Sequence, residues 1–364
     1  MASMTGTLSR YFGLRFMWSA LAAFGGVLLL VALIDYIELM RRTSDLAQVS
    51  ALTVLQTSIF RVPQVTERIL PFCVMVGAMS CYLSLSRRLE LVIARSAGMS
   101  AWQFVAPALA VALLIGIAAT AIYNPLASAL HERSKRLEAE MFGEKQSSLE
   151  TGGGFWVRQL SSEGQSIINA RGSREQGVRL TGVTAFTFDK DGKFIERIES
   201  KLATLESGHW RLEDVKLFQT GAAPEEKKTY LLATNLTPAQ VRESFATPET
   251  VPFWQLPNYI ELAERAGLVA VGYRLQYHKL IARPFFLAAM VLLAAAFSLR
   301  FFRMGGVQKM VLAGVASGFA LYVLSKITED LAKASLLAPM AAAWLPVVIG
   351  GLIGFVALLY QEDG

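Results

Sequence analysis

Six long windows without a charged residue govern what this chain can fold into. They run Phe16–Ile34, Ile69–Ser86, within Ser96–Leu130, Pro284–Leu299, Met310–Ser325 and Ala334–Tyr360. A helix that crosses a bilayer needs about 20 mostly apolar residues, and each window supplies a span or most of one. The fourth and fifth are short between charges, so Arg283, Lys309 and Lys326 are expected to snorkel or to face a water-filled cavity. Only 18% of the 364 residues are charged, against roughly 25% in soluble domains. The deficit lies in the windows, which excludes one large soluble core. The reading is a polytopic α-helical membrane protein with six transmembrane helices, three before and three after a long middle segment.

Six spans put both termini on one side. The segments on that side carry Arg10, Arg15, Arg87, Arg88, Arg95, Arg300, Arg303 and Lys309 against Glu90, Glu362 and Asp363. The two short loops on the other side balance six basic residues with six acids. Basic residues favour the cytoplasmic side, so both termini are placed in the cytoplasm. The net charge of +6 therefore reflects span orientation and not nucleic-acid binding. No small-residue cleavage site ends the first window, which leads into Asp35-Tyr36-Ile37-Glu38 and reads as a retained span. Cys73 and Cys81 share one window. Eight residues of helix separate them by about 12 Å, too far to bridge. They read as apolar core residues.

The middle segment has another texture. Strand signals recur at Phe155-Trp156-Val157, Gln165 to Ala170, Thr181 to Phe188, Trp210 to Gln219 and Thr229 to Thr234. Turns at Asp189-Lys190-Asp191-Gly192 and Glu206-Ser207-Gly208 separate them. Short strands at this spacing indicate an inserted all-β sandwich or jelly roll, periplasmic on the topology above. Helical segments at Asn124 to Glu144 and Pro257 to Ala266 flank it without a Gly/Ser linker, which implies a semi-rigid attachment. The expected organisation is a first transmembrane half over 1–145, the periplasmic β-jelly-roll domain over 146–256 and a second transmembrane half over 257–364.

Catalytic spacing is missing. His131-Glu132-Arg133-Ser134-Lys135 lacks the second histidine of a zinc-protease helix, and His209 and His278 have no companion ligands. Neither a phosphate-binding glycine loop nor a serine-nucleophile elbow occurs. The chain is expected to hold no catalytic residue, metal or cofactor. Charges deep in a span would favour an ion gradient as energy source; here they cluster at span ends, which favours an energised partner.

One loop is decisive. Ser86-Arg87-Arg88-Leu89-Glu90-Leu91-Val92-Ile93-Ala94-Arg95-Ser96-Ala97-Gly98-Met99-Ser100 is a short amphipathic stretch between two spans, closed by a glycine suited to a helix C′ position. It resembles the coupling helix, about residues 87–99, of the LptF/LptG permease family of the lipopolysaccharide-export ABC transporter. The resemblance makes Glu90, Leu91, Val92, Arg95 and Gly98 the contact for a cytoplasmic ATPase; the bland reading is an ordinary basic loop. Val62-Pro63-Gln64-Val65 with Leu70-Pro71-Phe72 resembles the start of the family's second span. Phe155-Trp156-Val157-Arg158, Phe253-Trp254-Gln255-Leu256-Pro257 and Ala343-Trp344-Leu345-Pro346 resemble further landmarks, the first two favouring the LptG type.

The resemblance implies a bacterial inner-membrane permease that extracts lipopolysaccharide and passes it to a periplasmic β-jelly-roll bridge toward the outer membrane. The implied partners are an LptB-like ATPase dimer, which binds the ATP, an LptF-like permease and an LptC-like membrane-anchored β-jelly-roll protein. The substrate calls for a basic rim on the periplasmic side. Candidates are Arg41 and Arg42 after the first span and Arg133, Lys135 and Arg136 after the third, unless they are solvated or paired with Glu38, Asp45, Glu132 and Glu138. Asp35 departs from the basic residues that family members often carry near the outer end of the first span. Gly314-x-x-x-Gly318 and Gly350-x-x-x-Gly354 allow close helix packing or a moving gate, and Gly305-Gly306 reads as a turn. Competing readings are the sister LptF-type subunit, a membrane-anchored β-domain scaffold without transport, and an intramembrane enzyme.

Overall fold

The computed structural model of the chain describes residues 2–44, 49–142, 155–161, 164–174, 177–189, 193–219, 223–235, 248–265, 270–302 and 307–362. Helix α1 (Ala2–Thr43) and α2 (Ala51–Arg87) are followed by the short α3 (Glu90–Ser96). Then come α4 (Ala101–Ala118), a π-turn over Ala119–Tyr123 and α5 (Asn124–Phe142). After six strands the chain continues as α6 (Leu256–Arg265), α7 (Val271–Phe302), α8 (Val307–Lys333) and α9 (Pro339–Glu362). Among the described residues, six helical stretches are long and apolar enough to cross a membrane: Gly6–Thr43, Ala51–Arg87, Ala101–Phe142, Val271–Leu299, Val311–Lys333 and Pro339–Tyr360.

These helices outrun the charge-free windows, and several of the charges beyond them are paired. Glu67 of α2 accepts from the Arg283 guanidinium of α7, and Asp35 of α1 lies 3.6 Å from Arg61 of α2. Lys326 meets Glu329. Arg283 and Lys326 thus stand within their helices as members of ion pairs, at positions where the sequence alone suggested snorkelling or a water-filled cavity. Ser50 caps α2 by accepting from the Thr53 amide, and Ser100 with Gln103 forms a capping box on α4.

The chain forms two compact units, one of Met1–Ser134, Pro252–Trp254 and Arg274–Gly364, the other of Lys135–Val251 and Gln255–Tyr273. In the first, Phe16, Met75, Tyr82, Phe104 and Met290 are buried in one apolar core. Small residues bring its helices together. A side chain at Gly77 would strike the Ala20 backbone at 2.6 Å, and one at Gly354 would meet Leu292 Cβ at 2.7 Å. Gly314 and Gly318 receive the Met79 and Met75 thioethers of α2, so both glycine pairs serve packing within the chain. Gly305-Gly306 lies outside the described residues.

The second unit carries one antiparallel sheet in the order β1-β2-β3-β4-β5-β6. Its strands are β1 (Phe155–Ser161), β2 (Gly164–Arg174), β3 (Arg179–Phe188), β4 (Phe194–Glu206), β5 (His209–Gln219) and β6 (Glu225–Ala233). β4 was not among the expected strands. Five of its 13 residues are charged, which masks the alternation. The Glu206-Ser207-Gly208 turn closes the β4–β5 hairpin with Gly208 at φ 86°. Of the other expected turn, residues 190–192 lie outside the described residues, and its flank donates from the Lys193 amide to Asp189 Oδ1 at 2.8 Å.

A crease crosses this sheet. Pairing skips one row that runs through Arg171, Gly182, Lys201, Asp214 and Lys228. Gly182 (φ 60°) and Asp214 (φ 53°) are left-handed there. Inward residues two apart on each side become three apart across it: Leu180 then Val183, Ser200 then Ala203, Leu212 then Val215. The extra residue in each strand bends the sheet without changing register. The two halves then pack on each other around Ile168, Leu180, Ile198, Trp210 and Leu217. Gln159 of one half accepts from Trp210 Nε1 (3.2 Å) and Thr234 Oγ1 (2.6 Å) of the other. Tyr230 donates across to Glu196 at 2.8 Å. The expected two-layer β domain is realised by one meander folded over, not by two separate sheets; each strand pairs antiparallel with its sequence neighbour, with no crossover among the described residues.

Candidate functional site

The α2–α3 junction makes a sharp step. Leu89 takes a left-handed conformation (φ 59°), which ends α2 and re-aims the chain into the seven residues of α3. The Met99 amide donates to Ala94 O and the Gly98 amide to Arg95 O, with Gly98 at φ 83°. That is the double bond pattern of a glycine-closed helix end, as the closing glycine led one to expect.

The five expected contact residues do not share one surface. Val92 and Gly98 point outward, but Leu91 is 5% exposed and packs with Ala94 in the apolar core of the first unit. Leu91 is therefore a core residue; its i+3 spacing to Ala94 puts both on the inner face. Glu90 is clasped by α1: its carboxylate accepts from Arg15 Nη1 at 2.8 and 3.0 Å and from the Tyr11 hydroxyl at 3.0 Å. Arg15 also donates to Ser84 Oγ at 3.2 Å. The Arg95 guanidinium sits 5.8 Å over the Phe104 ring. The outward face consists of Leu89, Val92 and Ile93, beside Arg87 and Arg88. Leu89 and Ile93 are the residues that sequence reasoning missed; their spacing with Val92 was the available signal.

A long-range polar cluster supports the same bundle. Asn124 donates to Glu67 Oε1 at 2.9 Å beside Arg283, and its own oxygen accepts from the Phe253 amide at 2.9 Å. Trp254 Nε1 donates to the Ala121 carbonyl inside the π-turn. This plan has an amphipathic helix between the second and third spans and a β segment between the third and fourth. A family model described as lipopolysaccharide export system permease LptF/LptG matches residues 10–360.

The chain belongs to the LptF/LptG family.

Among curated relatives, the lipopolysaccharide export system permease protein LptG of Escherichia coli K12 is 22% identical over 351 residues, 94% of each chain. The protein of the same name from Haemophilus influenzae is 23% identical over 335 residues, 89% of this chain and 90% of its own. Family and spans together make this a multi-pass inner-membrane transporter permease.

The expected rim residues of this LptF/LptG-family chain fall into two groups. Arg41 and Arg42 both bind Glu38, at 2.9 Å each, one and the same carboxylate holding two exposed guanidiniums. Arg133, Lys135 and Arg136 are exposed on α5, with Arg133 in the first compact unit and the other two in the second. Among the described residues, no group of three or more His, Cys, Asp or Glu is placed to hold a metal ion. Cys73 and Cys81 are buried free thiols.

Proposed function

We propose that the chain is the LptG-type permease subunit of an ABC transporter that lifts lipopolysaccharide out of the inner membrane toward a periplasmic β-jelly-roll bridge. The observation that carries this reading is the family match over residues 10–360; the LptG name of the relatives favours that type over LptF. In this reading the termini and α3 are cytoplasmic and the β domain is periplasmic. An LptB-like ATPase dimer binds the ATP and docks on the outward face of α3, with Leu89, Val92 and Ile93 as apolar contacts and Gly98 fixing the helix end. Glu90 and Arg95 act from behind that face by holding α3 to its neighbours. Exposed Leu29, Leu30, Leu33 and Ile34 on α1 support cover by lipid or by an LptF-like permease. Arg41, Arg42, Arg133, Lys135 and Arg136 supply positive charge for lipid phosphates, and an LptC-like protein continues the β bridge.

Purification of the tagged full chain from its own membranes tests this reading. Mass spectrometry should find an ATPase, a second six-span permease and lipopolysaccharide. Recovery of periplasmic proteins alone, without ATPase or second permease, would replace it with a membrane-anchored scaffold.

A further inference from the structure

A proline inside a helix has no N–H for the carbonyl four residues before it. Pro125 withholds an amide from Ala121 O in this way, and Pro284 withholds one from Leu280 O. Side chains from other segments serve both carbonyls. Thr120 Oγ1 donates to Leu280 O at 2.9 Å, and Trp254 Nε1 donates to Ala121 O at 3.1 Å. Gly116 makes room for the first contact, since a Cβ there would lie 2.4 Å from Pro284 Cα. Ala121 lies within the π-turn, where the Asn124 amide reaches back five residues to Ala119 O. Such single π-turns often mark functional positions.

Pro252–Trp254 is fastened to this frame. The Phe253 amide donates to Asn124 Oδ1 at 2.9 Å, and the Phe253 ring stacks on Tyr277 of α7 with centroids 5.7 Å apart. Trp254 is 64% exposed, so its hydrogen bond to Ala121 O, more than packing, sets its place. Asn124 is buried, and its amide fits one way only: Nδ2 donates to Glu67 Oε1 at 2.9 Å, and the oxygen accepts from Phe253. Glu67 is held in turn by Arg283. All of these residues belong to the first unit, yet Val251 before the segment and Gln255 after it belong to the second. The chain enters the first unit for three residues and leaves it again. Without this crossing only the joins at 134–135 and 273–274 would connect the two units.

We propose that Pro252–Trp254 is a mechanical stitch, with Asn124 and Trp254 as positioning residues that make the chain of the second unit follow movements of α2, α5 and α7. α2 continues from Glu67 to Arg87, a rise of about 30 Å, and leads into α3. One helix thus links the proposed ATPase contact to the carboxylate that Asn124 grips. Only the claim that ATP drives the movement rests on the permease reading.

The test uses the full chain in nanodiscs and two variants that break one bond from opposite ends. Trp254→Phe keeps an aromatic ring and removes the donor. Pro125→Ala gives Ala121 O a backbone amide that competes with the indole. Neither residue is buried, so the fold is kept. Each variant should lower hydrogen-exchange protection of the Phe253 amide about fivefold, the factor for one hydrogen bond of about 1 kcal/mol, and the double variant should lower it no further. Both should also reduce the lipid released per ATP hydrolysed in proteoliposomes of the purified transporter, while hydrolysis continues. A packing role for Trp254 alone would leave Pro125→Ala as wild type. Unchanged protection in either variant overturns the stitch. Lower protection with unchanged lipid release per ATP overturns the positioning role. The exchange measurement needs no ATPase, so it judges the stitch separately from the purification experiment that judges the permease reading.

Discussion

The clasp between Arg15 and Glu90 makes a prediction that separates two roles for one residue. The side chains are 18% and 28% exposed and meet at 2.8 Å. An open surface pair contributes about 0–1 kcal/mol, and a hydrogen bond to a charged group about 1.5–3 kcal/mol. This pair is half-screened and has the Tyr11 hydroxyl as a third member, so its loss should cost about 2 kcal/mol. That is about thirtyfold in the equilibrium between α3 held against α1 and α3 released. Glu90→Arg and Arg15→Glu should each impair ATP-driven lipid release from proteoliposomes, because either breaks the link between α3 and the first span. The charge-swapped double variant should recover most of it, with a coupling energy of about 1–2 kcal/mol in the double-mutant cycle. ATPase recovery on the tagged chain, measured in parallel, reports docking. If Glu90 instead touches the ATPase directly, Arg15→Glu will behave as wild type and the swap will fail like Glu90→Arg. That pattern would refute the clasp.

Three further outcomes follow from geometry. Arg283→Gln leaves the buried Glu67 without its cation and should destabilise the detergent-solubilised chain by about 3–5 kcal/mol, whereas Glu67→Gln with Arg283→Gln should recover most of that in thermal unfolding. Gly182→Val places a branched side chain at φ 60° against Arg171 and should cost about 1–2 kcal/mol, read as faster protease cleavage of the β unit in the full chain. Glu225, Glu226, Lys227 and Lys228 are exposed on edge strand β6, where charge discourages strand addition. Lys216 and Glu226 pair at 2.7 Å, holding that carboxyl below its ordinary value. Photo-crosslinkers on β1 should therefore capture a partner β domain in membranes and those on this part of β6 should not; the reverse pattern would show that the charges do not guard the edge.

Much of the architecture was legible in the sequence because bilayers impose a coarse rule. Charge-free windows located all six spans, and the glycine at position 98 located the end of α3. The lengths of the spans were not legible. Glu67 and Arg283 lie 216 residues apart, and nothing local announces that two charges neutralise each other inside a bundle. The face of α3 was misassigned at Leu91 for a related reason. A seven-residue helix has under two turns of periodicity, and its rotation is set by the left-handed Leu89, which no apolar pattern encodes. β4 escaped because five charges along its 13 residues mask an alternation that also slips at the crease, where Lys201 and Leu202 both face out.

The crease also changes what a single-residue deletion means. In an ordinary meander a lost residue is absorbed at the nearest hairpin. Here each of β3, β4 and β5 carries its surplus residue in the same transverse row, and neighbouring strands share it. Removing Lys201 alone would return β4 to strict alternation while β3 and β5 keep their step. Beyond the row, every β4 side chain would then turn to the opposite face. No repair within β4 restores the match; matched removals of Arg171, Gly182, Asp214 and Lys228 would, because the row crosses all of their strands. The row is thus a collective unit of the sequence, one that tolerates exchange of residue types far better than any change in their number.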